Sequence, residues 1–461
     1  MAKPLALVLS DLHFGEAASV VNYKEGGAGS QPVVRRLVEI IEGVASNGSI
    51  PFLIVAGDTL DLSLAAVGDA VADFHKFLED IHAYFDAFVY IPGNHDHHVW
   101  RTLQEEVYVV KRIREGNKIK EFPQEQFGMI EKGDLVLKDV DTSDPENPVG
   151  KKTFLHYLLP VAAQGKNFAV TYPNLLIEFD NPERNTLITH GHFFEKAWTL
   201  ASDMFGKSLK LGEINYVTLE RINSPVTEFG WYGIGQAGEL SKFIEGLYKD
   251  VKNSKTDRLT QALDDIKNYI LGFWKKRPRK KKGFFARIKD AVRRVGASIK
   301  EEAIENALEL LTALLKGLIV SQLESDETQT PGSDLRHSDI LKDPEKQERI
   351  ARYVRYSIGS RYNFRPGQIV FGHTHRPIKD GSINIDFGSG PSKVKAFNPG
   401  GWVVDCEDAD HILHSRPMPL LILDDGQVRA LDFPWPAEKD KGELKNKTAE
   451  QIREMIKQGQ F

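Results

Sequence analysis

Five polar turns, each placed directly after an apolar strand-like run, constrain this chain more than any other feature of its sequence. The turns are Asp11-Leu12-His13, Gly57-Asp58-Thr59-Leu60-Asp61, Gly93-Asn94-His95-Asp96, His190-Gly191-His192 and Gly372-His373-Thr374-His375. The runs before them are Leu5–Leu9, Phe52–Ala56, Phe88–Ile91, Thr186–Thr189 and Gln368–Phe371. A strand that ends in a polar turn delivers those side chains to the carboxyl edge of a sheet, where open α/β sheets build their sites. Carboxylates, one amide and several imidazoles gathered there make a hard-to-borderline donor set. It suits a pair of divalent cations (Mn, Fe, Zn or Mg) better than a lone structural zinc. An isolated Asp-x-His after a strand is usually a surface turn, so the weight lies in the five together.

At 461 residues the chain is long enough for two or three units. A 41% hydrophobic and 27% charged composition belongs to a globular protein with a sizeable core. The net charge of −5 excludes little, because the charge is unevenly distributed. Cys406 is the only cysteine, which rules out an intramolecular disulfide and fits a reducing compartment. The apolar run Leu5–Leu9 is too short for a signal sequence and leads straight into Asp11 and His13. The expected location is cytoplasmic, with a peripheral membrane association left open by the basic segment described below.

From residue 1 to about 195, strand-like runs alternate with helical stretches such as Val33–Val44 and Ala70–Phe85, which predicts α/β with a mainly parallel sheet. Strand-like runs return over 361–435, at Gln368–Phe371, Ile383–Phe387, Trp402–Val404 and Leu420–Leu423. Between them, 196–360 reads as a large, mostly helical insertion or cap. It contains Lys275–Lys282, with seven basic residues in eight, then Phe284, Phe285, Ile288, Ala291, Val292 and Val295 at helical spacing. The apolar stretch Ala303–Val320 carries Glu305, Asn306, Glu309 and Lys316, and so is no convincing membrane span. Residues 436–461 read as a polar tail, exposed or folded into a short closing helix.

The order and spacing of the five blocks resemble the calcineurin-like metallophosphoesterase superfamily, whose signature runs D-x-H, GD-x-x-D, GNH-D/E, H-G-H and GH-x-H. That resemblance implies two packed mixed β-sheets flanked by helices and a pair of metal ions. It further implies Asp58 as the carboxylate bridging both ions, with Asp11, His13 and His375 on the first and Asn94, His190 and His373 on the second. Two such ions about 3.5–4 Å apart activate a hydroxide and clamp a phosphoryl group. By the same carry-over His95 is the acid that protonates the leaving oxygen, and Asp61 is the carboxylate that pairs with it. His192 and Arg376 are candidate substrate contacts. Asp96 reads as a turn-closing residue, and His97 and His98 as solvent or packing histidines.

The resulting expectation is a metal-dependent phosphoric ester hydrolase, phosphatase or phosphodiesterase, with manganese as the first choice of ion. The segment Phe371–Pro377 is similar to that of bacterial hydrolases acting on a UDP-linked diacylglucosamine pyrophosphate, but His95 stands where those carry Arg. A metal-dependent nuclease and a non-catalytic scaffold of the same fold are the alternatives. Over 275–295, basic residues beside an amphipathic stripe match an interfacial helix at an anionic membrane. A solvated loop or a nucleic-acid contact are the competing readings.

Overall fold

The computed structural model describes residues 2–23, 31–45, 48–119, 121–138, 153–195, 198–199, 202, 216–233, 236, 261, 340–341, 343–359, 362–388, 390–404, 409–445 and 447–461. The basic run, the amphipathic stretch after it and the apolar stretch 303–320 lie outside these residues, so their predicted helices and membrane contact are not addressed by the fold. The chain divides into a unit formed by 1–241 with 335–461 and a second unit, 242–334, almost all of it outside the described residues.

The first unit is built on two mixed sheets. The strands are β1 (Pro4–Leu9), β2 (Ile50–Ala56), β3 (Phe85–Ile91), β4 (Phe127–Glu131), β5 (Asp134–Lys138), β6 (Asn167–Val170) and β7 (Asn174–Glu178), followed by β8 (Thr186–Thr189), β9 (Gln368–Phe371), β10 (Ile378–Asp386), β11 (Pro391–Asn398), β12 (Leu420–Leu423) and β13 (Val428–Ala430). One sheet runs β13-β12-β1-β2-β3-β6, and the other β10-β11-β9-β8-β7-β4-β5. Strands β1, β2, β3 and β6 are mutually parallel, as are β8, β9 and β11, while β12 and β7 join antiparallel. The sheets are therefore mixed, as the resemblance implies, rather than mainly parallel.

Period-two alternation explains the layering. Ala6, Val8, Phe52, Ile54, Ala56, Val89 and Ile91 share one buried cluster with Ile130, Leu175, Ile177, Ile188, Val370 and Phe397 of the other sheet. The intervening residues Leu7, Leu9, Leu53, Val55, Phe88 and Tyr90 face a second cluster with the helices. With both faces buried, these strands read as near-continuous apolar runs, which is why they stand out in the sequence.

Helix α1 (Pro32–Ala45) begins on proline, which suits a first turn that needs no amide donor, and buries Val33, Val34, Leu37 and Ile41. Helix α2 (Val67–Ile81) buries Ala70, Phe74, Phe77, Leu78 and Ile81. The helical pattern predicted through Phe85 stops at Ile81, and a single 3-10 turn, His82–Tyr84, intervenes. Phe85 instead opens β3 opposite Ile50, where pairing claims its backbone. Trp402–Val404 forms no strand beyond one bridge, Ser19 to Val403. The amide of Trp402 donates to the Asp11 carbonyl, fixing this segment as a wall beside the first polar turn.

Helix α3 (His97–Glu105) follows the third turn directly, α4 (Tyr216–Thr227) runs into a π-helical turn at Glu228–Gly233, and α5 (Pro344–Tyr353) into another at Val354–Gly359. Tyr216, Leu219, Ile350, Val354 and Ile358 pack with Leu187, Ile369 and Phe371 of the second sheet. These parts of the 196–360 region thus belong to the first unit, since their apolar faces complete its core. The chain closes with α6 (Ala449–Gln458), the helical alternative for the last residues. Thr448 and Gln451 cap its start reciprocally, Gly459 at φ 80° ends it, and Ile452, Met455 and Ile456 are buried. Among the described residues no helix is long and apolar enough to cross a membrane.

Candidate metal centre

The carboxyl ends of β1, β2 and β3 in one sheet and of β8 and β9 in the other bring all five turns together. Backbone hydrogen bonds stitch them. Asp11 N donates to Gly57 O (3.1 Å), His13 N to Asp58 O (2.9 Å), Leu62 N to His95 O (3.2 Å) and Gly372 N to His190 O (2.9 Å). Asp96 ties two of the turns to β3, accepting from the amides of Gly93 (2.6 Å) and Thr59 (2.9 Å) and from the Tyr90 hydroxyl (2.5 Å). It closes its turn as the sequence suggests.

Backbone strain is concentrated here. Asp11, His13, Asp58, His373 and His375 adopt φ of 53°, 49°, 47°, 68° and 54°. Left-handed backbone costs a non-glycine residue on the order of 1 kcal/mol or more, and persists where the surroundings over-determine it. The twist turns successive side chains inward from one short loop. Gly93 allows the close approach, since a Cβ there would sit 2.2 Å from Asp58 Oδ1.

Three donor groups result, each with ligand atoms within 4.8 Å of one another: Asp11, His13 and His375; Asp58, His190 and His373; and His13, Asp61 and His95. In the first, His375 Nε2 lies 3.2 Å from His13 Nε2 and 3.4 Å from Asp11 Oδ1. In the second, His190 Nε2 lies 3.1 Å from Asp58 Oδ2 and 2.9 Å from Asn94 Oδ1. Asp58 Oδ2 is also 3.9 Å from His13 Nε2, so it faces both groups. Every one of these residues except His95 and His375 is buried.

The third group is a relay of hydrogen bonds. Asp61 Oδ2 stands 3.0 Å from His13 Nδ1 and 3.0 Å from His95 Nδ1. Its Oδ1 accepts from the Ser63 amide, the Ser63 hydroxyl and the Leu64 amide at 2.8–2.9 Å. Ser63 Oγ also lies 2.9 Å from His95 Nδ1, and Ser63 belongs to none of the five sequence blocks.

Charge is balanced by imidazoles. Burial pushes His190 down, but the Asp58 carboxylate outweighs it and holds His190 up at about 9. Burial likewise opposes charging of His13 and His95, yet Asp61 raises both, with Glu16 assisting at His13. Burial would raise Asp58, but the imidazole of His190, then that of His95, keeps it well below the usual carboxylate range. A cation entering such a site must displace protons, which a donor set of carboxylates and imidazoles permits.

His192 is brought beside this group but not into it. Its ring is 5.6 Å from that of His190 and 6.0 Å from that of Trp198. Burial, then the neighbouring His190 and His373, pushes it well below its ordinary value, and its Nδ1 has no hydrogen-bond partner among the described residues. Arg376 is half-buried next to His375, and its charge adds to burial in depressing His414.

A separate buried polar cluster lies behind α3. His97 Nε2 meets Glu220 Oε1 at 2.9 Å, and its Nδ1 bonds Glu228. Arg101 reaches Glu220 at 3.3 Å, Tyr172 donates to Glu220 at 2.7 Å, and His98 meets Glu228 at 2.8 Å. Burial opposes the charge on His97, but Glu220 and then Glu228 overcome it and hold the imidazole at about 9. His97 is thus a packing histidine, with charge partners more than a hundred residues away.

Residues 5–219 match the family model described as calcineurin-like phosphoesterase. No curated protein matches the chain. The match covers the first four turns and ends inside α4, so the fifth, Gly372–His375, joins them through the fold.

Proposed function

We propose, from the premise that residues 5–219 are a calcineurin-like phosphoesterase domain, that the chain hydrolyses a phosphate mono- or diester, or a pyrophosphate, with two divalent cations. The family consists largely of metal-dependent phosphoesterases. The observation that carries the reading is Asp58, whose Oδ2 faces His190 at 3.1 Å and His13 at 3.9 Å. One carboxylate between two donor groups is what a bridged ion pair requires. Asp11, His13, His375 and Asp58 would hold one ion, and Asn94, His190, His373 and Asp58 the other. Oxygen and imidazole donors without thiolate accept Mn, Fe, Zn or Mg, and Mn is the first ion to try. When bound, the pair supplies Lewis acidity to the phosphoryl oxygens and lowers the pKa of water.

The chain's own residues do the rest. Asp61 accepts from His95 Nδ1 and stabilises the imidazolium, leaving Nε2 with a proton for the departing oxygen. The 14% exposure of the His95 side chain opens it to a substrate, whereas Asp61 is sealed. The Asp61 contact to His13 aligns acid and first ion site through one carboxylate. His192, kept neutral, and Arg376 flank the centre as substrate contacts.

The test is removal of metal by chelation, reconstitution with Mn, Fe, Zn or Mg, and assay of generic monoester and diester substrates in parallel. Hydrolysis should return with about two ions per chain. Two bound ions and no hydrolysis of either substrate would leave a scaffold of the same fold. His95→Ala should keep both ions and lose roughly 10²–10⁴-fold in turnover, less on substrates with good leaving groups. Loss of an ion in that variant would make His95 a ligand instead.

A further inference from the structure

In three of the proposed metal ligands, His13, His190 and His373, one ring nitrogen is held by an acceptor that is not itself a proposed ligand. His13 Nδ1 is held by Asp61 (3.0 Å) and Glu16 (3.2 Å), and His190 Nδ1 by the Ala56 carbonyl (3.1 Å). Asp61 and Ala56 lie in or beside the sequence blocks. The holder of His373 does not: Glu195 Oε2 lies 3.3 Å from His373 Nε2.

Local backbone brings it there. Gly191, at φ 102°, turns the chain into a single 3-10 turn, His192–Phe194, and Glu195 N closes it on the His192 carbonyl at 3.1 Å. Both side chains are sealed, at 5% and 7% exposure. A buried carboxylate costs several kcal/mol unless it is paired, and His373 is the side chain that meets it here. With Nε2 hydrogen-bonded to Glu195, the nitrogen His373 has for an ion shared with Asp58 and His190 is Nδ1. A carboxylate behind a ligating imidazole fixes its tautomer and raises its basicity.

We infer that Glu195 is a positioning residue for the second ion site, acting through His373 and selective for that ion. The inference rests on the dinuclear reading above. Its contact is with His373, not with His13, Asp11 or His375, so the first site should not feel its loss. Glutamine keeps an acceptor for Nε2–H but removes the charge, whereas alanine removes both.

The experiment titrates metal-free wild type, Glu195→Gln and Glu195→Ala with Mn²⁺, by calorimetry and by electron paramagnetic resonance. Wild type should bind two ions with a spin-coupled pair signal. Glu195→Ala should bind one ion with unchanged affinity and the other 10–100-fold more weakly. Its spectrum should be mononuclear at intermediate Mn²⁺, and Glu195→Gln should fall between. Two ions bound at wild-type affinity by Glu195→Ala would overturn the inference and leave the dinuclear site standing. Equal weakening of both ions would also overturn it. Wild type that binds no second ion would remove the dinuclear reading itself, and the inference with it.

Discussion

Two clusters of buried imidazole and carboxylate lie within one body of this protein, and they are built on opposite principles. In the cluster behind α3, acids and bases satisfy one another: Glu220 takes hydrogen bonds from His97, Arg101 and Tyr172, and Glu228 from His97 and His98. At the sheet edge, the atoms of Asp11, Asp58, His13, His190, His373 and His375 crowd toward common points instead. Left-handed backbone is concentrated there, and none of the residues of the other cluster adopts it. A self-satisfied network fastens helices together. A convergent one gathers donor atoms that could hold a cation. The same residue types therefore fasten helices in one place and gather as candidate metal donors in the other, and geometry alone separates them.

The comparison is broken most severely at Asp58. Asp58→Asn should lower hydrolysis on the order of 10⁴-fold or more, the equivalent of several kcal/mol of transition-state stabilisation. Metal-free stability should fall too at neutral pH, because the carboxylate that holds His190 charged is gone, although an asparagine oxygen can still accept from the His95 amide, now 2.8 Å from Oδ1. The checks are turnover with Mn and a urea titration of the metal-free protein. Near-wild-type turnover would remove Asp58 from the bridging position.

The convergent cluster was legible in the sequence, and the self-satisfied one was not. Asp11, His13, Asp58, Asn94, His190, His373 and His375 announce themselves because each strand's fixed repeat ends where its polar turn begins. Asp61 and His95 come with the same turns. Glu220 and Glu228 lie more than a hundred residues from His97, on helices where a glutamate is an ordinary surface residue. Only tertiary packing gives them meaning. Glu195 had a fainter signal, three residues past His192, but nothing in a Phe-Phe-Glu run specifies that a 3-10 turn will carry it back to His373. In the fold, buried strands such as Leu5–Leu9 were clear from their runs. The mixing of strand directions came only from the family resemblance, because an apolar run carries no information about its neighbour's direction. The closing helix α6 was half legible: its cap at Thr448 and Gln451 is local, but its burial depends on where α1 lies.

The fastening cluster is most exposed to damage at Glu220, where three side chains converge. Glu220→Ala strands the His97 and Arg101 charges and the Tyr172 hydroxyl. Breaking a buried pair from one side costs about 3–5 kcal/mol, and the loss should appear in denaturant unfolding whether or not metal is present. Hydrolysis per folded molecule should fall far less than in Asp58→Asn, since Glu220 touches none of the candidate ligands. Unchanged stability would mean that the network adds nothing to the packing of α3 on α4.

The smallest expected effect is one of pH, and it sets the two clusters moving in opposite directions. His97 is held at about 9 when folded, against about 6.5 in an unfolded chain. Its stabilisation is therefore complete below about pH 6.5 and is lost as pH rises through 9. Glu228, lowered to about 2 by His97 and His98 against its burial, contributes fully above about 4.5 and is lost as pH falls through 2. The fastening cluster is thus strongest between about pH 4.5 and 6.5. The metal centre should gain affinity as pH rises, because its imidazoles must shed protons to bind an ion. His97→Gln should accordingly cost stability at pH 6, and the gap from wild type should shrink by about 1–3 kcal/mol on going to pH 9.5. Mn²⁺ affinity, measured across the same range, should climb in both proteins alike. A gap that stays constant from pH 6 to 9.5 would mean that His97 is neutral in the folded state, and that its contacts with Glu220 and Glu228 are ordinary hydrogen bonds rather than ion pairs.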